Sequence, residues 1–155
     1  MNPEKKARSY KIRNAHVGDY EIIRSLVHEA NLPTKDLLDD VLKHFIVCVC
    51  DEAIVGVVGL EQYGMVALIR SLAVAKSHRS HGIATRLLSE METLALALVI
   101  GPLTLFALTT TARQWLERHG FNELDRGQVP EAIRESSQFR DLCPASATCL
   151  AKTIA

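Results

Sequence analysis

The sequence lacks an excess of either charge: 18 lysines and arginines balance 18 aspartates and glutamates. A neutral chain carries no electrostatic footprint for nucleic acid or for an anionic membrane surface. Its one basic cluster, Lys5, Lys6, Arg8, Lys11 and Arg13, reads as a solvated edge. Long apolar runs are missing as well. Leu94 to Ile100 ends at Gly101-Pro102, far short of the roughly 20 residues that a spanning helix needs. The segment Met1-Asn2-Pro3-Glu4-Lys5-Lys6 lacks the apolar core of a signal peptide. These absences point to a cytoplasmic protein with no nucleic-acid or membrane partner and with reduced thiols. Cys48 and Cys50 fall on one face of a strand, while Cys143 and Cys149 lie near the C-terminus. Neither spacing suits a zinc site, so packed cysteines and no metal are expected.

What the chain does have is apolar material, 48% of its 155 residues. That is enough for one core, and residues 1–155 read as a single domain. Tyr10, Ile12 and Asn14 alternate with polar neighbours as in a strand. Asp19 is placed to cap a helix carrying Ile22, Ile23, Leu26, Val27 and Ala30. After Pro33-Thr34, a second short helix carries Leu37, Leu38, Val41 and Leu42. Phe45 to Cys50 and Ile54 to Leu60 flank the turn Asp51-Glu52-Ala53, and Gly64 turns the chain into a third strand, Met65 to Val74.

The period then changes. Ile83, Leu87, Leu88, Met91, Leu94, Ala95 and Leu98 line one face of a long helix. Leu103 to Leu108 reads as a buried strand parallel to the third one. Thr109 to Thr111 can cap a helix through Trp115 and Leu116 that ends at Gly120. Pro130 opens a helical piece from Glu131 to Ser136, and Ala147 to Lys152 reads as a last strand. The expectation is an α+β fold: a mixed, mostly antiparallel sheet of six to seven strands with about four helices.

One segment carries chemistry: Arg70-Ser-Leu-Ala-Val-Ala-Lys-Ser-His-Arg-Ser-His-Gly-Ile-Ala-Thr-Arg86. A strand ends, a polar loop follows, and a long helix begins. Loop amides and a helix N-terminus aimed one way form an anion site. Gly82 permits close approach of the backbone, and Arg79 adds a positive charge. A pyrophosphate suits such a cradle. The Walker pattern fails for want of Gly-Lys-Ser/Thr, and the three spaced glycines of the dinucleotide fingerprint are absent. What stands is Val74 followed by Arg79-x-x-Gly82-x-Ala84.

That pattern resembles the coenzyme A signature of the GNAT N-acetyltransferases, Val-x-x-x-x-Arg/Gln-x-x-Gly-x-Gly/Ala, and the family's element order runs along nearly the whole chain. Lys76 stands where the family often has Pro, and Ser80 where it often has Gly. Within the family, Leu105 to Phe121 and Ser71 to Val74 resemble the acetyltransferase domain of N-acetylglutamate synthases. Gly59 to Gly64, Ala67 to Val74 and Phe139 to Ala147 resemble the small arsenic-resistance-associated N-acetyltransferases. The resemblance implies acetyl-CoA as cosubstrate, no metal, and transfer to the primary amine of a small molecule such as an amino acid or glutamate-like analogue. Because apolar C-terminal strands often pair across dimers in this family, it also admits a homodimer.

The resemblance assigns coenzyme contacts by position. The main chain of Leu72, Ala73 and Val74 would hold the pantetheine arm, with an amide near Val74 polarising the thioester. Arg79, Ser80, His81, Gly82, Ile83, Ala84 and Thr85 would meet the pyrophosphate. Candidate catalytic residues are harder to place. Family members with a Tyr acid carry it at the position of Leu116 here, and synthases often carry an acid at the position of Leu68. Glu61 is the remaining carboxylate, either a base or an exposed hairpin acid. Arg70 shares the period-two face of Val66, Leu68, Leu72 and Val74, and either clamps a substrate carboxylate or pairs with an acid. The clamp is the favoured expectation. Thr109 is a helix cap that the synthase comparison also aims at the leaving sulfur. Two other classes compete: a non-catalytic acetyl-CoA or amino-acid sensor of the same fold, and a metalloid site on Cys143, Cys149 and a histidine.

Overall fold

The computed structural model describes residues 8–155. Lys5 and Lys6 of the basic cluster lie outside this range. Seven strands form one sheet in the order β1-β2-β3-β4-β5-β7-β6. These are β1 (Tyr10–Asn14), β2 (Phe45–Cys50), β3 (Ala53–Tyr63), β4 (Val66–Val74), β5 (Leu103–Thr109), β6 (Asn122–Leu124) and β7 (Thr148–Ile154). The helices are α1 (Tyr20–Glu29), α2 (Ile83–Ala97), α3 (Arg113–Arg118) and α4 (Glu131–Arg134). Every strand pair is antiparallel except β4 with β5. The reason is connectivity: α2 carries the chain back along one face of the sheet before β5 begins, as a parallel crossover requires.

The sheet has apolar layers on both faces. Val58, Leu60, Ala67 and Ile69 meet Ile83, Leu87, Leu88 and Met91 of α2 on one side. Val47, Val57 and Ala73 meet Ile23 and Val27 of α1 on the other. Gly56 allows the first contact, because a Cβ there would lie 3.0 Å from both Ile83 Cγ2 and Leu87 Cδ1. Such overpacking of a core is destabilising.

Several local expectations are corrected. Asp19 does not cap α1 through its side chain. Its carboxylate accepts from the Arg13 guanidinium at 2.7 and 3.1 Å and from the His16 amide at 2.7 Å, and the Arg13 bond holds it below its usual range. The helix expected through Leu37 and Leu42 is a 3-10 turn, Asp39–His44. Leu37 is buried ahead of it and Leu38 is exposed; the side chain of Val41 lies outside the described residues. On α2, Leu94 and Leu98 face solvent although they fall within the apolar period. The last helical piece closes at Arg134 rather than Ser136. β7 is longer than expected, and it sits between β5 and β6, so β6 rather than the C-terminal strand forms the sheet edge.

Candidate active site

The site begins with an irregularity in β4. Ser71 has φ +57°, in the left-handed region, and the β3–β4 register shifts there: Gly59 faces Arg70 while Val57 faces Ala73. One extra residue in β4 makes a β-bulge. Beyond a bulge, the side chains change face. Val66, Leu68 and Arg70 point away from α2, but Leu72 and Val74 pack towards the α2 layer. The shared face expected for Arg70, Leu72 and Val74 is therefore corrected, because strict alternation cannot see the inserted residue.

The bulge also opens the sheet. β4 and β5 pair only from Val66–Thr104 to Ile69–Ala107. From Arg70 to Val74 the β4 edge that faces β5 has no strand partner, which leaves main-chain groups to meet a ligand. A cleft of about 670 Å³ occupies this wedge. Leu72, Ala73, Val74, Arg79, Ser80, Gly82, Ile83, Ala84 and Thr85 line it, with Arg70 and Thr109. Of the residues singled out in the sequence, His81 and Glu61 are outside this lining.

At one end of the cleft the chain turns into α2. Gly82 has φ +76°, and the first α-helical bond of this turn runs from the Arg86 amide to the Gly82 carbonyl at 3.1 Å. The amides of Ile83, Ala84 and Thr85 precede that bond and lack helical acceptors. No acid stands in the first turn to satisfy them. Arg79 is fixed by its Nε donating to the Val74 carbonyl at 3.2 Å. His81 contacts the Arg79 carbonyl at 2.7 Å and bends back onto its own loop. Ser80 has φ +65°, which shows why the equivalent position suits glycine.

On the opposite wall, the expected threonine cap of α3 is corrected: the helix opens at Ala112 with no side-chain cap, and Thr109 Oγ1 instead accepts from the Thr111 and Ala112 amides of the preceding turn at 3.2 and 2.8 Å. Its hydroxyl proton is left free to donate. Trp115 of α3 and His119, just past its end, stack with centroids 4.0 Å apart. His119 contacts the Trp115 carbonyl at 2.7 Å and Thr85 Oγ1 at 3.0 Å, tying α3 to the start of α2. Trp115 packs against the core and also lines the cleft.

Behind Arg70 lies a polar network. The guanidinium side chain is only 1% exposed. Nη2 and Nη1 donate to Asp36 Oδ1 and Oδ2 at 2.7 and 2.8 Å, Nη1 reaches Glu61 Oε1 at 3.3 Å, and Nε donates to Ser71 Oγ at 3.1 Å. Its ring-face neighbour is Phe45, 5.8 Å from the guanidinium carbon. Gln138 Nε2 donates to both oxygens of Asp36 at 3.0 and 3.1 Å. The favoured expectation of a free Arg70 clamp thus meets an arginine whose fork is already held by an acid. Burial pushes the Glu61 carboxyl up; Arg70 pulls it back only in part, and the Asp36 charge adds to the rise. Glu61 Oε2 is buried without a hydrogen-bond partner. Asp36 and Gln138 carried no signal in the sequence: one sits in a loop and the other in a one-turn π-helix, Gln138–Leu142, 102 positions away.

An acetyltransferase (GNAT) domain model matches residues 42–123, more than half of the chain. The chain belongs to the GNAT acetyltransferase family. Comparison with curated protein sequences gave no match. Among solved structures, this GNAT domain is similar to the N-acetylglutamate synthase of Neisseria gonorrhoeae complexed with coenzyme A and N-acetyl-glutamate. The TM-score is 0.82 at 23% identity, over 97% of this chain and 36% of the synthase. It spans about a third of the synthase's length. A Mycobacterium tuberculosis protein in complex with coenzyme A matches with a TM-score of 0.79 at 21% identity, over 94% of this chain and 99% of that one. Diaminobutyrate acetyltransferase of Paenibacillus lautus, with its substrate L-2,4-diaminobutyric acid and coenzyme A, matches with a TM-score of 0.67 at 12% identity, over 94% and 95%. At these identities the likeness is one of fold.

Among the described residues, no helix is long and apolar enough to cross a membrane, and no group of three His, Cys, Asp or Glu side chains is placed to hold a metal. All four cysteines are free, and burial pushes the Cys149 thiol up to about 11. A protonated, buried thiol is a poor nucleophile and a poor ligand.

Proposed function

We propose that this chain, acting as one GNAT domain, moves the acetyl group of acetyl-CoA to the primary amine of a small molecule. The observation that carries the reading is the junction of an unpaired β4 edge with the unsatisfied amides at the start of α2, both on one cleft wall. Acetyl-CoA supplies an already activated thioester. The residues fit it in two places. The amides of Ile83, Ala84 and Thr85, with Arg79, suit a pyrophosphate, and the free edge of Leu72 to Val74 suits an extended, amide-bearing arm.

The chain's own chemistry is modest. The acceptor nitrogen must lose a proton as it bonds to the carbonyl carbon, and the departing sulfur must gain one. Glu61, its carboxyl raised by burial and one oxygen unpartnered, takes the amine proton through water. Support comes from register: Glu61 stands opposite Leu68 across the β3–β4 ladder, beside the position where the synthases often carry an acid. Thr109 faces the cleft and donates its hydroxyl proton towards the sulfur, its lone pairs being engaged by two amides. Arg70 is a positioning residue that holds Glu61 at 3.3 Å.

An amino-acid acceptor is supported by the neighbours' complexes, which hold N-acetyl-glutamate and L-2,4-diaminobutyric acid. An amino acid or a glutamate-like analogue leads the panel, and the arsenic-associated likeness adds its amine-bearing analogues. The deciding experiment is thiol release from acetyl-CoA against amino acids, their decarboxylated counterparts, polyamines and aminoglycosides. Turnover with one class establishes the reading. Binding of acetyl-CoA with no turnover on any amine would favour a sensor, and absence of binding would remove both.

A further inference from the structure

His119 stands behind the cleft and touches two residues of its wall. Its ring stacks on the Trp115 indole, with centroids 4.0 Å apart and 27° between the planes. Its Nδ1 meets the Trp115 carbonyl at 2.7 Å, and its Nε2 meets Thr85 Oγ1 at 3.0 Å. Trp115 and Thr85 line the cleft, and His119 lies outside that lining. A carbonyl oxygen can only accept, so Nδ1 carries a hydrogen whether the ring is neutral or charged. That leaves Nε2 to decide what Thr85 does. With Nε2 bare, the threonine hydroxyl donates to it, and its one hydrogen is committed to the ring. With Nε2 protonated, the ring donates to Oγ1. The hydroxyl hydrogen is then released for an anion beside the amides of Ile83, Ala84 and Thr85.

We propose that His119 is a positioning residue of the coenzyme site: it takes up a proton when acetyl-CoA binds, and so turns the Thr85 hydroxyl into a donor for a phosphate oxygen. This rests on the acetyl-CoA reading of the cleft. The surroundings accept the added charge. The indole face against the ring favours a cation, and the Trp115 carbonyl belongs to the last turn of α3, where acceptors lack helical donors. Charged groups on the neighbouring elements are engaged elsewhere. Arg113 of α3 holds Glu117 at 2.9 Å and Glu123 of β6 at 3.0 Å. Lys152 of β7, beside Gly120, is paired with Glu92 of α2 at 2.7 Å. Arg86 of α2 donates to the Tyr10 carbonyl at 3.1 Å, and Arg118 is exposed. No carboxylate pairs with His119 among the described residues, so the negative charge that draws its second proton is the ligand's. Histidine suits such a switch, because its ordinary charge change falls between about pH 5 and 8.

The test counts protons. Calorimetric titration with acetyl-CoA at about pH 7, in buffers that differ in ionisation enthalpy, gives the protons taken up on binding. The wild type should take up more than His119→Gln, which puts a neutral donor near the place of Nε2. It should also exceed His119→Phe, which keeps a ring against Trp115 and loses both nitrogens. The phosphates of acetyl-CoA and His78, which lines the cleft, titrate alike in all three proteins and cancel in the comparison. Relative to His119→Gln, wild-type affinity should rise by about fivefold between about pH 8 and about pH 5.5, the difference between a charge-assisted and a neutral hydrogen bond. Thr85→Val should remove that rise, because no hydroxyl remains to be turned. Equal uptake and parallel affinity profiles in wild type and His119→Gln overturn the proposal, and a loss of affinity by one factor at every pH would reduce His119 to packing. A rise that survives Thr85→Val overturns it too. If acetyl-CoA does not bind the wild type, the acetyl-transfer reading falls. Inorganic pyrophosphate then replaces it in the same titrations, and binding without extra uptake, or no binding, overturns the role of His119 as well.

Discussion

Glu61 and Leu68 face each other across the β3–β4 ladder. The synthase resemblance implies an acid on the second of these strands; in the proposed mechanism Glu61 serves from the first, one strand spacing away, about 4.8 Å. Because Glu61 lies outside the cleft lining, the proposed proton relay runs through water.

This relationship makes Glu61→Gln informative in two ways. If Glu61 relays the amine proton, kcat should fall by about 10²-fold or more, in line with the loss of a general base. The acid limb of the pH–rate profile should flatten as well. Stability should move the other way. The Glu61 carboxyl is raised in the folded state by burial, so the native protein binds the proton more tightly than the unfolded chain. Its ionisation destabilises the fold as pH rises from the unfolded value through the folded one. Glu61→Gln should therefore be more thermostable than wild type at neutral pH, and the gap should close at acid pH. A near-normal kcat across pH would remove the base assignment.

The α2 junction offers a paired test. Gly82 holds φ +76° and meets no atom within 4 Å at its Cβ position, so any loss on substitution comes from backbone conformation or from the ligand. Gly82→Ala should cost about 1 kcal/mol of stability and weaken acetyl-CoA binding. Ser80→Gly relaxes a left-handed serine at φ +65°, and should hold or tighten binding by calorimetry. Equal coenzyme affinity in all three proteins would mean that the pyrophosphate lies elsewhere.

Thr109 separates two roles by chemistry. Thr109→Val deletes an acceptor of two turn amides and should destabilise by about 1 kcal/mol, as loss of a hydrogen bond does. Thr109→Ser keeps the hydroxyl and should restore both stability and kcat. A valine variant that loses stability but retains kcat, measured by urea unfolding beside thiol release, would limit Thr109 to holding the turn before α3.

The order of elements was readable in the residues because it depends on local periods. The 3.6-residue spacing from Ile83 to Ala95 and the apolar runs of β2 to β5 each report a buried face. The cradle was readable for the same reason, since Arg79, Gly82 and Ala84 lie within six positions and their backbone does the work. Glycine's tolerance of φ +76° at position 82 is a property of the residue itself. Periodicity misled where packing chose otherwise: Leu94 and Leu98 fit the α2 stripe yet remain exposed, while Ala95, Leu96 and Val99 turn to the core.

The rest required the folded chain. An alternation count gives Arg70, Leu72 and Val74 one face, and only the pairing with β3 reveals the extra residue at Ser71 that turns the last two towards α2. The opening of β4 from β5 past Ile69 depends on the same bulge. Whether Arg70 stands free or filled could not be read from its neighbours in sequence, because its acidic partners are 34 and 9 positions away and Gln138, which holds Asp36, lies 102 positions from that aspartate. Short-range order along the chain is governed by steric preference and burial period, which each residue carries with it. The occupancy of a buried guanidinium depends on which side chains tertiary packing brings within about 3 Å, and no local pattern encodes that distance.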